Sequence, residues 1–232
     1  MLDVILDSGF GAIVRADSNG LTEIVRTGQA TPLSGTYQNF STNTSFGLGD
    51  GRVGPDIDIN DAGSITFAAR LADADATGAA FFWSSGSVSP VAFIGQPRPG
   101  GGTIDAINNN QLTERDEVLF MHGSDALYLW DNGALTTVVS VGDQLPGGGQ
   151  LSLICTYDFA SSESTVQIGV NVRTSQQPVL RGIYLVGAAG LEKVVESGDA
   201  LPGGDVYDGV FCFSPFAVSL TGRVAFTNYP KL

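Results

Sequence analysis

The chain reads as an all-β protein of tandem, four-stranded, blade-like repeats, arranged as a small β-propeller or, alternatively, as an open repeat array. Three observations carry that reading. A phrase of the form G-[QD]-x-x-P occurs four times, beginning at Gly28, Gly95, Gly142 and Gly198. Val, Ile, Phe, Tyr and Thr come in short runs between Gly, Pro, Asn, Asp and Ser clusters, and no long stretch places apolar residues at helical spacing. Glycine is abundant, 31 of 232 residues, as many tight turns require.

Alignment on the phrase exposes four strand-like segments per repeat. The first is aromatic or apolar: Ala12 to Val14, Phe81 to Trp83, Leu127 to Trp130 and Ile183 to Val186. A tight turn follows, as in Ser18-Asn19-Gly20 and Asp131-Asn132-Gly133, where Asn-Gly supplies the positive φ angles of a hairpin. The second segment runs into the phrase: Leu21 to Val25, Val88 to Phe93, Leu135 to Val139 and Leu191 to Val195. Three of the phrases continue into glycines, at Gly100 to Gly102, Gly147 to Gly149, and Gly203 with Gly204. A third segment is expected after the phrase in each repeat, including Ile104 to Ile107, Leu151 to Cys155 and Val210 to Phe213. The fourth is Ile65 to Ala69, Val118 to Met121, Val166 to Val170 and Val224 to Phe226. Two copies of it keep an [NS]-x-x-G lead-in, at Asn60 to Gly63 and Ser219 to Gly222.

Successive phrase glycines are 67, 47 and 56 residues apart, against about 40 to 50 for a propeller blade. An insertion around Ser41 to Pro55 accounts for the long first interval, and the N-glycosylation tripeptides at Asn39 and Asn43 fall there. The expected organisation is one repeat domain, 1–232, with approximate units 1–70, 71–122, 123–172 and 173–232.

The formal net charge of −13, with two lysines and nine arginines, excludes a nucleic-acid binder. Suitable partners are the chain itself, cations, basic proteins and neutral surface glycans. No apolar run reaches the roughly 18 residues of a membrane span. Met1 to Asp7 lack the basic start and apolar core of a signal peptide, so either an intracellular chain or a mature, trimmed one is expected.

Residues that could carry chemistry are few. Asp56, Asp58 and Asn60 alternate with Ile57 and Ile59, which puts three oxygen side chains on one strand face. Calcium is the one cofactor this suggests. An EF-hand is excluded, since Asp61 stands where Gly is needed and Phe67 where Glu is needed. A solvated strand face is the plainer reading. His122 is the only histidine, and no G-x-S-x-G elbow occurs. The glycine runs are not phosphate loops, because no lysine follows them. Asp143 and Asp199 follow their phrase glycines and are expected to accept turn amides. Gln29 and Gln96 hold the same place, an exchange that a catalytic carboxylate would not survive. Cys155 and Cys212 lie 13 and 14 residues after their phrase glycines, so a disulfide between repeats and two buried thiols are both open. Trp83 and Trp130 suit core packing between blades or a glycan site. No catalytic residue is assigned.

These residues resemble the bacterial and archaeal surface proteins with tandem NxxGxxAF repeats. The resemblance rests on Gly182-Ile183-Tyr184-Leu185, Leu191, Val194, Gly198-Asp199, Pro202-Gly203-Gly204, Asn60 to Phe67 and Gly222 to Phe226. Thr66 replaces the Ala of that pattern, and Ser219 replaces its Asn. The resemblance implies an extracellular or cell-surface place and names no activity.

Asp3-Val4-Ile5-Leu6 aligns with Glu117 to Phe120, so fourth-type segments number five against four of the others. The spare strand is a decorative edge, a sign of a longer array, or a pairing element for another subunit. In the last case Val4, Ile5 and Leu6 meet an acceptor edge near Val224 and Phe226, and head-to-tail pairing builds filaments. The favoured function is a non-catalytic extracellular structural or binding module. The alternatives are a glycan-active enzyme and a lectin-like propeller.

Overall fold

The computed structural model describes residues 11–18, 20–40, 57–176, 178–209 and 215–227, and the backbone of 2–5. Among the described residues every regular element is a β-strand. β1 (Leu2–Ile5), β2 (Gly11–Asp17) and β3 (Gly20–Arg26) form one sheet in that order. A second sheet holds β4 (Thr36–Asn39), β5 (Ile57–Ile59), β6 (Ile65–Ala72), β7 (Gly78–Ser84) and β8 (Ser87–Phe93). A third holds β9 (Asn108–Leu112), β10 (Val118–His122), β11 (Ala126–Asp131) and β12 (Ala134–Ser140). A fourth holds β13 (Leu151–Ser161), β14 (Val166–Thr174), β15 (Arg181–Gly187) and β16 (Gly190–Glu196). β17 (Phe216–Val218) and β18 (Val224–Phe226) pair with each other.

The third and fourth sheets share one plan, in which strands lie side by side in chain order. Each begins after a G-[QD]-x-x-P corner and ends at the next one, giving the order third, fourth, first, second segment. The approximate units 1–70 and onward therefore cut through sheets: β6 and β7 straddle the first boundary yet pair directly, Phe67 opposite Phe81. The second sheet keeps the plan with its third-type strand split. β4 pairs with β6 at Thr36↔Ala72 through Asn39↔Arg70, and β5 continues the same edge at Ile57↔Phe67 through Ile59↔Ile65. The insertion at Ser41 to Pro55 lies outside the described residues, between the two halves.

One third segment needs correction, and one runs further than expected. Ile104 to Ile107 is not a strand; the strand is β9, four residues on. Ile104 spends its N–H and C=O on the corner instead of on a ladder. Leu151 to Cys155 is the start of a strand that runs to Ser161. Val210 to Phe213 lies outside the described residues, and β17 takes the third-type place.

The described chain forms two compact units, residues 1–123 with 128–136, and 124–127 with 137–232. In the first, Ile13, Ile24 and Val25 pack with Tyr37, Ile65, Phe67, Phe81 and Trp83. Phe67 and Phe81, opposite in register, stack with centroids 5.3 Å apart, and Tyr37 meets Phe81 edge-on at 5.2 Å. Alternation along β7 sends Phe81 and Trp83 inward and Phe82 to the other face. In the second unit, Ile183, Val195 and Tyr207 are covered by Phe216, Val224 and Phe226. Gly169 on β14 permits this cover: a Cβ there would lie 2.6 Å from Val218 Cγ2 and 2.9 Å from Phe216 Cε2.

Candidate functional site

The four phrase corners share one hydrogen-bond pattern. The glycine N–H donates to the carbonyl of Tyr37 (2.8 Å), Ile104 (2.7 Å), Leu151 (2.8 Å) and Tyr207 (2.8 Å) in Gly28, Gly95, Gly142 and Gly198 respectively. The N–H of each of those residues donates back to the carbonyl of Gln29, Gln96, Asp143 or Asp199, at 2.8–3.0 Å. All four anchors are at most 1% exposed. The side-chain oxygen of the second phrase residue then accepts the N–H three residues earlier. Gln29 takes Arg26 (3.1 Å), Gln96 takes Phe93 (3.1 Å), Asp143 takes Ser140 (2.8 Å) and Asp199 takes Glu196 (2.8 Å). Gln and Asp are interchangeable here because only an acceptor at that point is needed. The phrase glycines have φ from +84° to +99° and nothing within 4 Å of a built Cβ, so conformation demands them and space does not. The anchors went unread in the sequence, although each lies nine residues after its glycine.

Asp199 differs from its equivalents in also accepting Lys193 Nζ at 3.0 Å. Burial pushes its carboxyl up, but Lys193 and the Glu196 N–H outweigh this and hold it below the usual value. Tyr184 lies in the same sheet and donates its hydroxyl to Glu196 at 2.7 Å; burial and that carboxylate raise its pKa.

The oxygen face proposed for calcium is engaged by the next repeat. Asp58 Oδ1 accepts the Ile59 N–H and Oδ2 accepts the Leu112 N–H, both at 2.9 Å. Asn60 Oδ1 accepts the Ser64 N–H (3.0 Å), and its Nδ2 donates to Thr113 O (3.1 Å) and Asp116 Oδ1 (2.8 Å). Asp56 lies outside the described residues. A cation at this place would have to displace these bonds. Asp158 on β13 repeats the arrangement by accepting the Val218 N–H at 2.8 Å. In both units an aspartate on a third-type strand thus holds the last N–H of the next third-type strand. Among the described residues, no group of three or more His, Cys, Asp or Glu converges as metal ligands would.

His122 is a buried positioning group for the second corner. Arg98 Nη1 lies 3.1 Å from Nδ1 and can only donate, so the neutral ring carries its proton on Nε2. Nε2 then donates to Asp105 Oδ1 at 2.7 Å, and the approach of the Asp105 N–H at 3.3 Å is a secondary contact. Arg98 Nε donates onward to Gly101 O at 2.9 Å. Cys155 is 4% exposed and disulfide-bonded; Cys212, the only other cysteine, lies outside the described residues. For the assembly residues, Val4 and Ile5 lie in β1, opposite Ala12 and Gly11 of β2. Leu6 lies outside the described residues. Val224 and Phe226 pair with Val218 and Phe216, and both help cover Tyr207.

One groove opens beside the second corner, whose Gln96 and Phe93 form part of its wall. It encloses about 440 Å³ in the first unit, lined by Phe82, Ser89, Pro90, Val91, Phe93, Gln96, Trp130, Asn132 and Gly133. Phe82 and Trp130 meet there with ring centroids 5.3 Å apart, tilted by 47°. Ser89 sits opposite Phe82 in register and so shares its face. Of the two tryptophans singled out in the sequence, Trp83 packs in the core beneath Arg15, and Trp130, itself 5% exposed, backs the groove. No family model, curated protein or solved structure matches this chain.

Proposed function

We propose that this chain is a non-catalytic extracellular module whose four-stranded meanders are blades of a propeller-like array, joined to further copies through strand edges. The observation that carries the reading is the fate of the repeated polar residues. Gln29, Gln96, Asp143 and Asp199 are spent on backbone amides within their own corners, and Asp58 and Asp158 on amides of the next repeat. What the sequence repeats is therefore scaffold. The surface setting follows the resemblance to NxxGxxAF-repeat proteins.

Assembly is suggested by two edges. In the complete sheets a fourth-type strand has neighbours on both sides. Among the described residues β1 has only β2 beside it, and β18 only β17. Each leaves a row of backbone N–H and C=O groups open to an added strand. Pairing β1 of one copy with β18 of another joins their sheets head to tail, and repetition without closure yields filaments. Deleting residues 1–8 is expected to convert filaments seen by electron microscopy into monomers in analytical ultracentrifugation. A protein that is monomeric throughout, or that assembles equally well without those residues, overturns the assembly reading.

A further inference from the structure

The same structural place is filled differently in successive sheets. Arg15 lies two residues before the hairpin end of β2, and Phe82 two residues before that of β7. Arg15 places its guanidinium 5.0 Å from the Trp83 ring and pairs with Asp17 at 3.1 Å. Phe82 makes the corresponding contact with Trp130. With a ring in place of a long cation, the space beside Trp130 is uncharged and aromatic-walled.

We infer that this groove binds a neutral carbohydrate. Its residues carry no charge, although the chain carries −13, so an ionic ligand has no partner in it and an anionic one is repelled by the protein's field. Phe82 is half-buried, faces away from the core and presents apolar surface suited to the C–H face of a sugar ring, and the half-buried Pro90 and Phe93 border the groove. Ser89 and Asn132 are exposed at its rim and offer a hydroxyl and an amide to sugar hydroxyls. Gln96 contributes Nε2, since its Oε1 holds the Phe93 N–H. The volume falls within the range of roughly 300–1,000 Å³ usual for small-ligand sites. This site is independent of strand-edge assembly, so either can fail alone.

The test is calorimetric titration with neutral oligosaccharides (β-glucan, xylan, mannan and α-glucan fragments) and with uronic-acid oligosaccharides. At least one neutral series is expected to bind, and the uronates not at all. Phe82→Arg removes the ring and puts there a cation of the kind found at Arg15, and is expected to abolish binding. Asn132→Gly keeps the positive φ of the turn, +50° in the structure, and removes the amide; about a tenfold loss is expected. Circular dichroism checks both folds, and Asn132→Gly decides if Phe82→Arg fails to fold. Absence of neutral-sugar binding at millimolar concentration, equal binding of uronates, or affinity indifferent to the variants that fold overturns the inference. Binding only of an apolar peptide in the same groove overturns it as well.

Discussion

Replacing Asp143 separates a scaffold corner from a reactive one. Asp143→Ala removes the acceptor of the Ser140 N–H (2.8 Å) and of Ser140 Oγ (3.2 Å). Both groups are exposed, so water takes over part of the bonding and the cost is about 1 kcal/mol, well short of the figure for a buried charged bond. Asp143→Gln should restore most of it, because Gln96 holds the Phe93 N–H from the same place at 3.1 Å. Urea unfolding followed by circular dichroism reads the first quantity. Exchange of the Ser140 amide, read by NMR, should quicken about fivefold in the Ala variant and hardly at all in the Gln variant. A Gln variant as damaged as the Ala variant would refute the argument, since acceptor position alone would then not explain the repeat. An Ala variant with unchanged exchange would refute it equally.

Two further outcomes follow from buried and charged groups. Tyr37 is 1% exposed, its hydroxyl is buried without a hydrogen-bond partner among the described residues, and burial raises its pKa. Tyr37→Phe should therefore stabilise the first unit by about 1 kcal/mol, read as a higher urea midpoint by the fluorescence of Trp83 and Trp130, both in that unit; destabilisation would show that the hydroxyl is used. Lys193 and the Glu196 N–H hold the Asp199 carboxyl below the usual aspartate value, so its contribution is present above that ordinary value and is lost as pH falls through the lower folded one. Because the Asp199 side chain is partly exposed, water screens its pairing and the effect is small. Asp199→Asn should flatten the acid limb of the stability curve below about pH 4; a curve identical to the parent's in that window contradicts the Lys193 pairing.

Sequence reading went furthest where bonding is local. The corner side chains act on an N–H only three residues away, so a recurring Gly followed by an acceptor was enough to assign them a turn role. Hairpins such as Asp131-Asn132-Gly133 were legible for the same reason: Asn132 and Gly133 take φ of +50° and +91°. The third-type strand of the second repeat was misplaced because its apolar run, Ile104 to Ile107, serves the corner. The actual strand, Asn108–Leu112, is mostly polar and carries little apolar periodicity. Its place is set by partners far away, including Asp58, 54 residues earlier, on the Leu112 N–H.

By itself the sequence determined an all-β chain, four glycine-and-proline corners and the strand period between them. Those depend on φ preferences and alternation over a few residues, which any short segment carries with it. Tertiary structure alone decided which corner opens each sheet, which aspartates tie one repeat to the next, and that Phe82 meets Trp130 while Trp83 lies beneath Arg15. Each of these is a meeting of residues dozens of positions apart, brought about by the stacking of whole sheets, and no local pattern encodes it.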